Sequence, residues 1–361
     1  MRVLVANTGS SSVKLHLLGP ANDLMASRDF DITDGRVDPE DVAAALAGLG
    51  EIDAVGHRIV HGGEKFHAPV LVDQQVIDHL GELTDLAPLH QPKALAALAA
   101  LRRELPRTPQ VACFDTMFHA TLAPEVTTYA LPHHWRHRYG LRRYGFHGLS
   151  HAYAARRSQE MLGADPGRLV VAHLGAGASL SAVRHGRCVD TTMGFTPLEG
   201  LVMATRSGDV DPGLVLWLLD RHGLDLDELR AGLQWQGGLM GLTGTADMRE
   251  VLERAGSGEA EAALGRDVYL HRLRAKIAAM AAALDGLDTL VYTGGVGQNA
   301  PQVRAGAAQR LGFLGVTIDV ATNDSAAPDT EVTGAGARVR TLVIAAREDI
   351  QIADHVRDLL T

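Results

Sequence analysis

The sequence predicts two layered α/β domains. The 361-residue length exceeds one ordinary domain of roughly 150 residues. Helix-like and strand-like stretches alternate along the chain, the order expected of layered α/β structure. One stretch also occurs twice. Arg2-Val3-Leu4-Val5-Ala6-Asn7-Thr8-Gly9 superposes without a gap on Arg168-Leu169-Val170-Val171-Ala172-His173-Leu174-Gly175, which reads as an internal duplication.

Each copy is strand, small-residue turn, strand. Arg2 to Ala6 is β-rich, Asn7 to Ser12 is a polar turn, and Val13 to Leu18 alternates as a half-buried strand does. The second copy runs from Arg168 through His173-Leu174-Gly175-Ala176-Gly177-Ala178 into Ser179 to Val183. Pro39 to Gly48 and Lys93 to Leu105 have helical composition, whereas Ile52 to Ile59 and Gln110 to Phe114 read as strands. Ser150 is a candidate N-cap for a helix through Leu162 that Gly163 ends. Pro212 to Leu219, Glu259 to Leu284 and Ile350 to Leu360 read as helices, and Leu290 to Tyr292 as a strand running into Thr293 to Gly297. No Ser- or Pro-rich linker separates the halves, and the boundary falls near residues 145 to 165.

Composition narrows the function. Hydrophobic residues at 46% supply packed cores, and a net charge of −9 argues against a general nucleic-acid binder. The cysteines Cys113 and Cys188 are too few for a disulfide framework or a Cys-rich zinc site, so a reducing, cytoplasmic setting is expected. No secretory signal or membrane span is expected either. With 39 glycines and 4% aromatics, the chain suits tight phosphate-contacting loops better than stacking surfaces. The 17 histidines call for an explanation.

The turn from Asn7 to Ser12 offers a glycine, four hydroxyls and consecutive N–H groups that can converge on a phosphate, with Lys14 just beyond. An ordinary Ser-rich hairpin turn is the alternative. Gly294-Gly295-Val296-Gly297-Gln298-Asn299 follows a strand and suits nucleotide contact by backbone. No Walker string occurs, and neither glycine loop has the third glycine of the dinucleotide fingerprint, which excludes a P-loop and weakens a Rossmann dehydrogenase. His57 and His61 stand four apart, but Ile59-Val60 between them favours a strand, which separates the side chains and disfavours zinc. The His- and Arg-rich stretch from His133 to Arg157 reads as a solvated face rather than a nucleic-acid patch. Asp115 follows a strand, a position equally suited to catalysis and to a helix cap. Arg206, in a Gly- and Asp-rich loop, reads as a phosphoryl clamp or a surface salt bridge.

These pieces together resemble the acetokinase family. Asn7 to Lys14 is similar to its N-x-G-S-S-S-x-K signature, and Gly56 to Gly63 to its G-H-R-x-V-H-G-G signature. Leu86 to His90, Phe114-Asp115-Thr116, Arg143 to Gly148, Thr192 to Gly200, Thr205 to Asp209 and Asp247-Met248-Arg249 also resemble family motifs, in order, over nearly the whole chain. The resemblance implies the two-domain actin-like ATPase (ribonuclease H-like) fold with a duplicated ββαβ core. It divides the chain at 1–146 and 147–347, with a helix at about 348–361 returning to the first domain. It also implies a homodimer joined through the second domain, no nucleic-acid or membrane partner, and acetyl phosphate chemistry linked to acetyl-CoA metabolism.

The same resemblance implies direct in-line phosphoryl transfer between ATP and acetate, with propionate as the nearest alternative acceptor. Arg58 would bind the carboxylate and Asp115 orient it or the metal. Arg206 and His147 would stabilise the transferring phosphoryl group, with His90 assisting. Val60, Leu89, Phe146 and Pro197 would enclose the methyl group. Asn7 and Glu348 would hold Mg²⁺, or Mn²⁺ in its place. Lys14, Ser10, Ser12 and the loop His173, Leu174, Gly175, Ala176 and Gly177 would meet phosphates. Asp247, Met248, Arg249 and Gly295, Val296, Gly297, Gln298 and Asn299 would line the nucleotide side. The chain departs from the pattern at Ala176 (family Asn), at Gln298 (family Glu), and at Ala346-Arg347-Glu348-Asp349 (family T-N-E-E). It is also short between Leu18 and His57, which implies a trimmed first domain. A non-catalytic actin-like assembly protein and a kinase using another phosphoryl donor are the competing readings.

Overall fold

The computed structural model describes residues 1–9, 12–32, 37–88 and 90–361. They form two units. The first comprises Met1–Ala120, Phe146–Tyr153 and Arg347–Thr361, and the second Thr121–Gly145 and Ala154–Ala346.

The first unit is built on a six-stranded sheet. Its strands are β1 (Val3–Thr8), β2 (Ser12–Leu18), β3 (Leu24–Asp31), β4 (Ala54–Ile59), β5 (Val70–Leu71) and β6 (Gln110–Phe114), in the order β3-β2-β1-β4-β6-β5. β1, β4 and β6 are parallel, and the remaining pairs are antiparallel. The alternation of β1 explains its central place. Leu4 and Ala6 enter the core shared with the helices Pro39–Leu46 and Gln91–Glu104. Val3 and Val5 enter the opposite core, with Leu149, Ile352 and Val356. That second face is covered by the helix Glu348–Leu360. Gly56 allows this close crossing, because a Cβ there would lie 2.5 Å from Ile352 Cγ2 and 2.9 Å from Val356 Cγ2. The helix is also tied down by Arg357, which donates to Gly19 O at 2.8 Å, and by Asp354, which accepts from Asn22 at 3.0 Å.

The second unit repeats the plan. β7 (Leu169–Leu174), β8 (Ala178–Arg184), β9 (Arg187–Thr191), β10 (Thr289–Thr293), β11 (Thr330–Glu331) and β12 (Arg340–Val343) lie in the order β11-β12-β10-β7-β8-β9. Read from the other edge, this matches the first sheet strand for strand, with the same senses. The duplication therefore extends from the eight-residue match through a whole six-stranded sheet. The helix Ala260–Ala283 buries Leu270, Leu273 and Ile277 in this unit.

Several sequence expectations are revised. Residues 121–145 cluster with the second unit rather than the first, because Arg143 donates to the carbonyls of Thr191, Thr192 and Met193. Residues 147–153 cluster with the first unit, where Gly148 N donates to Asp115 O at 2.8 Å and Leu149 joins the core. The helix 148–162 begins at Gly148, two residues before Ser150, which is buried inside it. Gly294–Asn299 is a short helix rather than an open loop. It starts at Gly294 with φ +78°, where a Cβ would lie 2.6 Å from Leu174 O. Among the described residues, no helix is long and apolar enough to cross a membrane.

Candidate active site

The parallel strands of the first unit deliver their C-terminal ends side by side, and three site residues arrive there. Asn7 is the last residue but one of β1, Arg58 lies near the end of β4, and Asp115 directly follows β6. Asp115 is fixed by its own N–H, which donates to Ile59 O at 3.0 Å. Glu348 comes from the first turn of the covering helix, where an acid is favoured by the helix dipole.

Arg58 links them. Its Nε lies 3.2 and 3.1 Å from the two oxygens of Asp115, and its Nη2 donates to Asp115 Oδ2 at 2.7 Å. Its Nη1 donates to Asn7 Oδ1 at 3.1 Å and lies 3.2 Å from Glu348 Oε2. Asn7 Nδ2 closes the ring by donating to Glu348 Oε2 at 3.0 Å. Burial opposes the Arg58 charge, yet Asp115 and Glu348 more than offset it and hold its pKa above the usual value. Asp115 is pushed up to about 6, chiefly by burial and further by Glu348, against the pull of Arg58. Asp115 thus grips the Arg58 guanidinium, a contact outside the two roles expected of it, which were toward the carboxylate or the metal.

Two carboxylates facing one guanidinium leave an uncompensated negative charge and several oxygen donors. Such a set fits Mg²⁺, which takes one or two carboxylates and completes its octahedron with water and phosphate oxygens. Among the described residues, no group of three or more His, Cys, Asp or Glu could hold a metal, so the protein's share of an Mg²⁺ shell would be small. Arg347, the cation beside Glu348, is engaged elsewhere, because its Nε donates to Asp349 Oδ1 at 2.9 Å. His16 lies 2.9 Å from the other oxygen of Asp349. Asp349 is held down to about 2, since these bonds outweigh its burial.

His147 lies in this unit with φ +58°, the left-handed region that a non-glycine residue rarely adopts. Bonds on both sides hold it there. Gly148 N donates to Asp115 O, and His119 Nε2 donates to Phe146 O at 3.1 Å. Strain of this kind gathers at functional sites. Phe146 is buried and packs edge-on against His61 at 5.5 Å. Val60 is half-buried just beyond β4. His90 is the N-cap residue of the helix Gln91–Glu104, and Lys14 is exposed on β2, where Ser12 is the first residue. Ser10 and Leu89 lie outside the described residues.

Sequence reasoning missed the support beneath this site. Gly63 N donates to His61 Nδ1 at 2.9 Å, which fixes a neutral tautomer, and burial lowers His61 to about 4. Gln91, fully buried, donates to His61 O and Leu80 O, both at 3.2 Å. His61 was visible inside a motif, whereas nothing local marked Gln91.

The second unit carries the other predicted residues. His173 and Leu174 end β7, and Gly175, Ala176 and Gly177 form a turn closed by Gly175 N donating to Gly177 O at 2.9 Å. A Cβ on Gly175 would lie 3.9 Å from Gly295 N, so this turn and the helix Gly294–Asn299 are neighbours. That helix presents Gly295, Val296, Gly297 and Gln298, and Asn299 caps it by donating to Gly295 O at 2.9 Å. Arg304, fully buried, donates to Gly297 O at 2.9 Å and Gln298 O at 2.7 Å, and so secures the helix's carbonyl end. Arg206 donates to Pro197 O at 3.0 Å, which brings these two predicted residues together, and burial lowers its pKa. Its loop is stitched to the glycine turn through Ala204 N donating to Ala176 O at 3.1 Å. Asp247 caps the helix Met248–Gly256 and pairs with the exposed Arg249 at 2.6 Å, while Met248 is buried.

Comparison with known proteins agrees with these features. A family model described as the acetokinase family matches residues 36–354. An acetate kinase from Synechococcus sp. is 47% identical over 313 residues, covering 86% of this chain and 77% of that protein. The crystal structure of Porphyromonas gingivalis acetate kinase superposes with a TM-score of 0.91 at 35% identity, covering all of both chains. That of a propionate kinase from Francisella tularensis subsp. tularensis gives 0.91 at 34% identity, covering 98% of each. The fold is the two-domain actin-like ATPase type, the chain is a phosphotransferase with a carboxyl group as acceptor, and it belongs to the acetokinase family.

Proposed function

We propose that this chain carries out reversible, Mg²⁺-dependent phosphoryl transfer from ATP to acetate. A carboxylate oxygen attacks the γ-phosphorus in line, the bond to the β–γ bridging oxygen breaks, and acetyl phosphate and ADP result. The observation that carries this reading is the Arg58 guanidinium held between Asp115, Asn7 and Glu348 at the ends of three adjacent strands. A planar cation fixed on two edges is pre-organised to take a small carboxylate.

Arg58 binds the acetate carboxylate, and Asp115 sets the orientation of Arg58. Val60, Leu89, Phe146 and Pro197 are the residues proposed for the methyl group. His147 and Arg206 are the residues proposed to stabilise charge on the equatorial phosphoryl oxygens, with His90 assisting. Catalysis of this type is mostly positioning and charge stabilisation. The burial that lowers the Arg206 pKa also strengthens its field at such a charge. Lys14, Ser10, Ser12 and the His173–Gly177 turn meet the phosphates. Asp247, Met248, Arg249 and Gly295 to Asn299 receive the nucleoside. Mg²⁺ bound by Asn7 and Glu348, partly through water, would neutralise phosphate charge.

Propionate is the second reading, favoured by the equally close likeness to a propionate kinase structure. One methylene is worth only about 1–3 kcal/mol of discrimination in an apolar pocket. The exposed apolar residues Leu214, Leu216, Trp217, Leu226 and Trp235 support a homodimer joined through the second unit. Two buried free thiols suit a cytoplasmic setting.

The test incubates the protein with Mg-ATP and acetate or propionate and traps the acyl phosphate with hydroxylamine. The expected result is acyl hydroxamate from acetate in excess of propionate. No hydroxamate from any short acid would falsify the reading. A donor panel including pyrophosphate at fixed acetate checks ATP as donor, the point raised by Ala176.

A further inference from the structure

We propose that Glu199, with Tyr129 and Arg143, is a positioning residue that fixes the loop carrying Pro197 and so sets the choice among short carboxylates. This rests on the proposed role of Pro197 at the methyl group of the acceptor.

All three residues belong to the second unit. After β9 ends at Thr191, the chain through Glu199 has no helix or strand to satisfy its carbonyls. Arg143 takes their place. Its Nη1 donates to Thr191 O and Thr192 O at 3.3 Å and to Met193 O at 2.9 Å, and its Nη2 donates to Glu199 Oε1 at 2.6 Å. One guanidinium therefore holds both ends of the loop. Tyr129 adds a second fastening, because its hydroxyl donates to Glu199 Oε2 at 2.6 Å and accepts from Phe195 N at 2.8 Å. The Arg143 guanidinium also lies over the Tyr129 ring, 5.6 Å from its centroid. The Glu199 charge overcomes the burial of Arg143 and keeps its pKa raised.

Gly194 is required for this packing. A Cβ on it would lie 1.7 Å from Glu199 Oε2 and 2.1 Å from the Tyr129 hydroxyl, so the bonded pair occupies the space a side chain would need. Gly194 O in turn accepts from Tyr144 N at 3.0 Å and Gly145 N at 3.3 Å, just before Phe146 and His147 in sequence. Pro197, two residues before Glu199, offers its carbonyl to Arg206. Glu199 touches neither substrate in this scheme. It acts through the loop, on the placement of Pro197 and on the aim of Arg206.

The test compares Tyr129→Phe and Glu199→Gln with the unaltered enzyme, measuring kcat and KM for acetate, propionate and Mg-ATP, with Tm for each protein. Losing a bond to a charged group predicts about a tenfold fall in acetate kcat/KM. The ratio of propionate to acetate kcat/KM should shift several-fold, with the KM for Mg-ATP unchanged. A purely structural role would lower Tm and all activities together and leave that ratio fixed. If Glu199→Gln does not fold, Tyr129→Phe, which removes only a hydroxyl, decides the matter. A folded Tyr129→Phe enzyme with the original acetate kcat/KM and acceptor ratio overturns the proposal. An unaltered enzyme that makes no acyl phosphate overturns instead the functional reading beneath it.

Discussion

The two sheets share strand order and strand sense, yet the residues at matching strand ends differ in kind. The repeat pairs Asn7 with His173. Following the registers outward pairs Arg58 with Thr293 and Asp115 with Ala346. One sheet thus ends in an amide, a cation and an acid, and the other in a half-buried histidine and small residues. The second sheet instead brings glycine turns and backbone N–H groups. A duplicated scaffold has been divided between side-chain chemistry and backbone chemistry.

Copying the second sheet's residues into the first should break this contrast most severely. Arg58→Thr and Asp115→Ala are each expected to lower kcat/KM for acetate about 10²- to 10³-fold, the usual loss for a pre-organised charge. The mirror change Ala346→Asp should have much the smaller effect. Steady-state kinetics on the three variants checks this, and equal losses would sink the assignment.

Acid should act next, and on the first unit. Its buried His57, His61 and His119 are each lowered to about 4 by burial. Among the described residues, no histidine of the second unit is buried. Unfolded histidines titrate near 6.5, so this contribution is complete above that pH and is lost as pH falls toward 4. Each buried neutral ring stands to lose up to about 3 kcal/mol over that window. Asp115, raised to about 6, works in the opposite sense and offsets part of the loss. Hydrogen exchange between pH 7 and 4.5 should show first-unit amides losing protection before those of the second unit.

Gly56 gives a smaller test. Its counterpart by register is Val291, which is fully buried, so only the first sheet requires a glycine there. Gly56→Ala forces a methyl group against Ile352 and Val356 and should cost about 1–3 kcal/mol. Because the displaced helix carries Glu348, the Mg²⁺ concentration for half-maximal activity should rise as Tm falls. A lower Tm with unchanged Mg²⁺ dependence would separate packing from the metal site. The smallest effect is expected at Ala176, exposed in the glycine turn. Ala176→Asn restores an amide donor and should lower the KM for ATP by a few-fold, about 1 kcal/mol or less.

Much of this was legible in the sequence because the signals are local. The run Val3 to Ala6 and its copy Leu169 to Ala172 each read as a buried strand, and the aligned glycines exposed the duplication. Pro39, Pro212 and Gly163 marked helix ends by fixed local rules. The misses share a cause, since they depend on partners distant in sequence. Arg143 and Glu199 are 56 residues apart, and their meeting is one of the contacts that join residues 121–145 to the second unit. The edge strands β5 and β11, two residues each, exist through their neighbours rather than through any pattern of their own. The stretch Gly294–Gly297 reads locally as a loop after a strand, whereas the close approach to Leu174 O, with Gly294 at φ +78°, opens a short helix there. The motifs named Arg58, Asp115, Asn7 and Glu348 one by one, whereas their meeting around one guanidinium required coordinates.

The helix Glu348–Leu360 has a consequence for how the molecule is made. Synthesis runs from the N-terminus, and domains generally fold as they emerge. Here the first sheet leaves the ribosome early but lacks the cover over Val3, Val5 and Gly56 until the whole second sheet has been translated. The nascent chain must keep an apolar sheet face waiting through most of translation. The acid that completes the ring around Arg58 arrives with the same helix, so assembly of the first unit and completion of its charged site are a single late event.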